Sequence, residues 1–175
     1  MSDLLSFALA VVHAVDPDHE HPAMTDTIVH VVEDERPLFT DDSSREKTIA
    51  LVVAVAWREG SLREKVSGDC VEKTKEGKCI AHPRSFCTMQ VHASSGGDES
   101  LNEDPEKCIR AGMALLRQSM KACAEHPIAF YASGPTACTN NRAQRISRDR
   151  MALAAWIRGQ AKAALAKSSE KTASN

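Results

Sequence analysis

Apolar residues come in bursts along the chain, and each burst predicts an element. The first holds Leu4, Leu5, Phe7, Ala8, Leu9, Ala10, Val11 and Val12 between Asp3 and the breaker Asp16-Pro17-Asp18. It predicts a helix over 3–15. The second, from Met24 to Asp34, predicts a helix that stops ahead of Arg36-Pro37, because proline disfavours helix in the residue before it. Its Val29, Val31 and Val32 leave a strand open. The third is the clearest. Thr48-Ile49-Ala50-Leu51-Val52-Val53-Ala54-Val55-Ala56-Trp57 is apolar on every face, the pattern of a helix buried all round at the centre of a domain. Ser43 and Glu46 stand before it at capping-box spacing, and Gly60 stands where a helix takes its left-handed C-terminal residue. The β-branched residues leave a buried strand as the lesser alternative.

Periodicity then fades. Residues 60–104 are rich in Gly, Ser, Cys and charge, and so long an irregular stretch in a compact domain is more often functional than idle. Asp104-Pro105 opens a fourth helix, with Asp as N-cap and Pro at the first position, and Ile109, Met113, Leu116 and Met120 give its buried stripe. His126-Pro127 starts a short helix that Gly134-Pro135 ends, and Ser147 can cap a last helix from Arg148 to about Ala166. These elements predict a mainly α protein with long irregular loops. Residues 1–42 read as an N-terminal helical arm packed on a domain of residues 43–167, and residues 168–175, small and polar, as a disordered tail.

Composition narrows the function. At 175 residues with 42% hydrophobic residues, about 70% of the unfolded surface can be buried, enough for a core without staples. A net charge of -2 gives no global positive field for nucleic acid, and 4% aromatic residues leave no base-stacking platform. Ile49–Trp57 is about half of the roughly 20 apolar residues a membrane span needs. The N-terminus lacks a basic region and a small-residue cleavage site, so it reads as a helix and not as a signal peptide. The small net charge hides an asymmetry. Residues 1–46 hold eleven acids and two bases, whereas residues 139–167 hold seven bases and one acid. That basic end can meet an anionic polymer or pair with the acidic front.

Glu59 is the candidate for chemistry. It ends the all-apolar helix, so the edge of the core and the negative end of the helix dipole both favour its protonated form. A carboxyl protonated near neutral pH is what a general acid needs. The plainer reading is a solvated helix-end Glu paired with Arg58 or Arg63.

The motifs around it fall in an order that resembles the lysozyme-like lytic transglycosylases. Arg58-Glu59-Gly60-Ser61-Leu62 resembles their catalytic Glu-Ser-x-Phe segment, and Gly68-Asp69 a Gly-Asp pair that follows in some members. Ser85-Phe86-Cys87-Thr88-Met89-Gln90-Val91 resembles their Ser-x-Gly-Leu-Met-Gln-Val segment. The helix from Asp104 to Cys123 matches their next helix, and Phe130-Tyr131-Ala132-Ser133-Gly134 resembles their Tyr-Asn-x-Gly. The likeness covers residues 45–158 and lies in the order of the segments. Gly60 departs from the usual Ser, Cys87 and Thr88 from Gly-Leu, and Ser133 stands at a variable small or Asn position.

The resemblance implies a lysozyme-like domain whose cleft crosses Glu59. It implies Glu59 as acid and base, Ser85, Met89 and Gln90 as lining of the sugar cleft, and Tyr131 as the hydroxyl that positions the reacting sugar. It implies cleavage of the β-1,4 bond between N-acetylmuramic acid and N-acetylglucosamine in peptidoglycan by one Glu, with the substrate's C6 hydroxyl attacking. No cofactor and no metal are required, and the partners expected are glycan strands and the proteins of a virion or secretion machine. Taken alone, Tyr131 equally reads as a core aromatic and Gln90 as a backbone cap. Glycosidases that use two carboxylates would look to Asp69, or to Asp98 and Glu99, but Asp69 reads more readily as fixing its loop while contributing to the substrate site. Without an export signal, delivery by a phage particle, with action on the host cell wall or in the periplasm, is the expected setting.

Six cysteines allow 15 disulfide pairings. Cys108 and Cys123 lie on one helix about 22 Å apart and cannot bond each other. Cys123–Cys138 is the preferred pair, with Cys87–Cys108 and Cys70–Cys79 following, against the alternative of six reduced thiols. A zinc site of Cys70, Cys79, His82 and Cys87 lacks any tight CxxC-type pair. His13, His19, His21 and His30 read as a metal-binding arm or, more commonly, as solvated loop residues.

Overall fold

The computed structural model describes residues 3–70, 75, 83–134 and 137–173. Six α-helices carry most of the chain: α1 (Asp3–Val15), α2 (Pro22–Asp34), α3 (Ser44–Gly60), α4 (Pro105–Ala122), α5 (Ala129–Ser133) and α6 (Asn141–Ala173). Between α3 and α4 lies an antiparallel sheet of β1 (Ser67–Cys70), β2 (Pro83–Phe86) and β3 (Val91–His92), in the order β1-β2-β3. No helix among the described residues is long and apolar enough to cross a membrane.

The all-apolar segment is a helix, and it is the hub. Residues Thr48 to Ala56 are each at most 1% exposed, and α1, α2, α4 and α6 all pack on α3. The N-terminal arm belongs to this core, since Phe7, Ala8, Val11 and Val12 of α1 and Ile28, Val31 and Val32 of α2 are buried in the same cluster as Leu51 and Ile157. The valines of α2 are helical because they line the buried face of an element that Pro22 starts and Pro37 follows.

Helix ends differ from the sequence reading in three places. Ser43 is the N-cap of α3 but makes no side-chain cap. Its hydroxyl donates to Asp41 and accepts from Arg158, while Glu46 turns to Lys162 and Arg158 on α6. Tertiary cations outbid the local capping box. At the other end Gly60 is still helical, and Ser61 (φ 53°) takes the left-handed position, its N–H closing on Ala56 and Trp57. Ser147 caps nothing, because α6 begins about two turns earlier, where Asn140 accepts from the N–H groups of Arg142 and Ala143. The hydroxyl of Ser147, buried within α6, accepts from the Ile128 N–H at 3.0 Å. The same helix runs on to Ala173, through most of the residues read as a disordered tail, since no proline or glycine interrupts residues 160–173, which are rich in Ala and Lys. Asp104 caps α4 as expected, accepting from the Lys107 N–H at 2.9 Å. The buried stripe of α4 is Cys108, Ile109, Gly112, Met113, Leu116 and Ser119, with Met120 only half-buried.

The sheet was not predicted. Its strands are two to four residues long and contain Gly, Ser and Pro, too short and too mixed for a period of two to show.

Candidate active site

Three separated stretches converge at the C-terminal end of α3: the helix end itself, the tight turn between β2 and β3, and α5 with the facing part of α6. All four non-glycine residues with positive φ among the described residues lie in the first two. They are Ser61 and Leu62 just past α3, and Cys87 and Gln90 in the turn. Left-handed backbone costs such residues about 1–3 kcal/mol each, so the surrounding structure must hold it in place.

Close packing explains how the turn reaches the helix. A Cβ on Gly60 would lie 2.7 Å from Thr88 Cα and 2.8 Å from its hydroxyl oxygen. Thr88 is fully buried and donates to the Ala56 carbonyl at 3.4 Å. Gly60 and Thr88 therefore fit as a pair, because the backbone and the hydroxyl of Thr88 together occupy the space a Cβ at position 60 would fill. A second missing Cβ admits Gln90, whose Oε1 would lie 1.7 Å from a Cβ on Gly68. Asn102 Oδ1 fastens the turn from behind, accepting from the N–H groups of Cys87 at 2.8 Å and Val66 at 3.3 Å.

Glu59 keeps a quarter of its side chain exposed and bonds through Oε1 to Arg150 Nη2 at 3.0 Å. Neither Arg58 nor Arg63 is its partner. Arg58 reaches Asp149 at 3.2 Å, and Arg63 Nε donates to the Gly60 carbonyl. The fold instead brings a guanidinium from α6 to this carboxylate. Arg150 is missed by a reading along the chain because it lies 91 positions from Glu59. The excess of bases in residues 139–167 was its only signal.

Tyr131, on α5, stands close enough to this pair to respond to both of its charges. Burial holds its hydroxyl well above the ordinary phenol range; the Glu59 carboxylate pushes it further up and Arg150 opposes. The hydroxyl donates to the Met89 carbonyl, joining α5 to the turn, and Ser119 of α4 accepts from the Tyr131 N–H at 3.0 Å.

The other expected residues divide. Gln90 is half-buried at this site, and its Nε2 donates to the backbone carbonyls of Cys87 at 2.9 Å and Val66 at 3.5 Å. It acts as the backbone cap that was its plainer reading. Met89 and Ser85 do not offer side chains to a cleft. Met89 is fully buried against Gly112, and Ser85 is buried in the middle strand opposite Gly68 and His92. The alternation of a strand and the tight turn point them inward. Asp69 has its backbone in β1, and its side chain lies outside what the structure describes. Asp98 caps the short helical turn Glu99–Asn102, accepting from the Ser100 N–H at 2.8 Å, and Glu99 is exposed. Neither is placed as a second carboxylate for Glu59.

Two disulfides border the site. Cys87–Cys108 ties the turn to α4, and Cys123–Cys138 ties the end of α4 to the segment after α5. The second lies in a small separate cluster with Ala129, Ala137 and Ala143, where little apolar surface is available. The Cys70–Cys79 pair lies outside the described residues, as do two members of the zinc set, Cys79 and His82; its fourth, Cys87, is consumed by a disulfide. Among the described residues no three His, Cys, Asp or Glu are grouped to hold a metal. His19 and His21 instead share the Asp16 carboxylate, at 3.0 and 2.8 Å.

The acids of residues 1–46 meet bases from two helices, α6 and α4. Arg158 and Lys162 of α6 pair with Glu46, while Arg110 and Arg117 of α4 take Glu35, and Arg110 also takes Asp34. Arg142, Arg145 and Arg148 stay exposed and form no ion pair among the described residues.

Concavities occur elsewhere, one of about 440 Å³ lined in part by His21, Met24, Leu62 and Arg63, and one of about 520 Å³ lined in part by Leu4, Phe7 and Arg45. Compared with family models, with curated proteins and with solved structures, the chain matches none.

Proposed function

We propose that the chain cleaves peptidoglycan as a lysozyme-like lytic transglycosylase or muramidase, with Glu59 as general acid and then base. One observation carries the reading: Glu59, Tyr131 and the Met89-Gln90 turn, far apart in sequence, meet at the end of one buried helix. They are the segments whose order resembles that family. Glu59 gives its proton to the glycosidic oxygen as the bond to C1 breaks. The carboxylate then takes the proton of the C6 hydroxyl as that oxygen bonds to C1, leaving a 1,6-anhydro end, or takes a proton from water in the muramidase outcome. Opening of a cell wall by a phage particle or secretion machine is the setting that suits this activity, with glycan strands as the binding partner.

A second reading has its own observation. Glu59 is ion-paired, and Gln90 and Tyr131 each use their polar group on a backbone carbonyl. This favours a structural or assembly protein with an inactive lysozyme-like fold. Peptidoglycan digestion separates the two. Wild type is expected to release muropeptides, and Glu59→Gln none; 1,6-anhydro products identify the lyase and reducing ends the hydrolase. Wild type that releases nothing, or Glu59→Gln that works equally well, ends the enzyme reading.

A further inference from the structure

The contact between Glu59 and Arg150 is one link of a closed chain. Arg58 Nη2 bonds Asp149 Oδ1 at 3.2 Å, Arg150 Nη1 bonds Asp149 Oδ2 at 2.9 Å, and Arg150 Nη2 bonds Glu59 Oε1 at 3.0 Å. Because Arg58 and Glu59 are neighbours on α3, and Asp149 and Arg150 neighbours on α6, the chain crosses between the helices and returns. We propose that Arg150 is the positioning residue of Glu59: it pairs with that carboxylate whenever it is ionised and stays on Asp149 when it is not. The inference rests on Glu59 as acid and base.

The geometry permits this exchange. The two carboxylates take different nitrogens of one guanidinium, so one contact can open while the other holds. Burial ranks them. The side chain of Arg150 is 15% exposed and that of Glu59 25%, whereas Asp149 is 42% exposed. Arg150 Nε is buried with no hydrogen-bond partner among the described residues, and the cation is compensated by its two carboxylates. Tyr131 sends its hydroxyl to Met89 and leaves Glu59 to Arg150.

The chemistry needs such a group. When Glu59 gives its proton to the glycosidic oxygen, a carboxylate forms, and a guanidinium in place stabilises it without reorganisation. When the carboxylate takes the next proton, Arg150 falls back on Asp149, and no net proton is gained or lost. An ammonium could not serve in the same way, because its donors radiate from one atom.

The test reads Glu59 directly. Protein labelled with carbon-13 at the glutamate carboxyls is titrated by NMR, and the Glu59 signal is identified by its loss in Glu59→Gln. Removing the cation by Arg150→Gln is expected to move the Glu59 midpoint to higher pH; Arg150→Lys restores part of the difference. Asp149→Asn, which leaves Arg150 to Glu59 alone, moves it to lower pH. An unchanged midpoint in a folded Arg150→Gln protein overturns the proposal. If Arg150→Gln does not fold, an unchanged midpoint in both Arg150→Lys and Asp149→Asn overturns it. In digestion assays, kcat of Arg150→Gln falls roughly a hundredfold with KM nearly unchanged, and its alkaline limb follows the NMR midpoint. Wild type without activity removes the enzyme reading, while the titration still decides whether Arg150 governs Glu59.

Discussion

The two ends of α3 use the same fastening and build different things. At its first turn Glu46 pairs with Lys162 at 2.6 Å and Arg158 at 3.6 Å, and in its last turn Glu59 pairs with Arg150 at 3.0 Å. Both carboxylates thus reach across to α6. Glu46 sits where the helix dipole favours a negative charge, and it is half-buried between α3 and α6. Glu59 sits where the dipole opposes its charge, near the half-buried Tyr131 and two turns with left-handed backbone. An ion pair to α6 therefore does not make a site. What sets the second pair apart is its surroundings, where Tyr131 and two left-handed turns gather around the carboxylate.

Paired substitutions sharpen this contrast most. Glu59→Gln is expected to abolish the muropeptide release proposed for this chain, whereas Glu46→Gln is expected to leave the rate unchanged and to lower stability by about 0–1 kcal/mol, as for a partly exposed pair. Digestion assays and urea unfolding of the two proteins check both halves; equal loss of activity from both substitutions breaks the comparison. Next in size is the staple on the turn. Replacing Cys87 and Cys108 together by Ala lowers stability by about 3 kcal/mol and releases the Met89-Gln90 turn. Urea midpoints with parallel digestion rates measure this, and full activity of the double variant would show that the turn does not need its tether.

Glycines give a smaller effect of opposite signs. Gly60→Ala drives a methyl group into Thr88 backbone and costs about 1–3 kcal/mol. Gly159→Ala on the outer face of α6 meets nothing within 4 Å and gains about 0.5–1 kcal/mol. Thermal unfolding decides both, and similar signs would mean that the approach of Thr88 to α3 is not tight.

The smallest effect lies away from α3, at the Asp16 carboxylate. Hydrogen bonds from His21 and His19 hold Asp16 below its ordinary 3.8, and Asp16 holds His19 above its ordinary 6.5. The stabilisation from His19 is complete below pH 6.5 and is lost as pH rises through its higher folded value. That from Asp16 is present above pH 3.8 and is lost as pH falls through its lowered value. Amide exchange at Thr25, whose N–H bonds the His21 carbonyl, is slowest between these limits. A flat profile would show that the loop does not depend on the pair, while the pH dependence of Glu59 remains a separate measurement.

The sequence by itself determined α1, the buried α3, the cap of α4 and the short α5 beside its glycine turn, while the valines of α2 left helix and strand open. Those features rest on apolar periodicity and on Pro, Gly and Asp signals that act within a few residues. It also singled out Glu59 and Tyr131, and it preferred the two cysteine pairs that form, from helix geometry and placement. Tertiary structure decided the rest. Ser43, Glu46 and Ser147 abandoned their local caps because Arg158, Lys162 and the Ile128 N–H offered partners from elsewhere. The strands were invisible because pairing between segments, not the composition of any one, stabilises them. Ser85 and Met89 turned inward for the same reason, since a single tight turn fixes which way each residue faces. Arg150 and Asp149 could not be attached to Glu59 along the chain, because an ion pair between residues 91 positions apart exists only once α6 lies on α3.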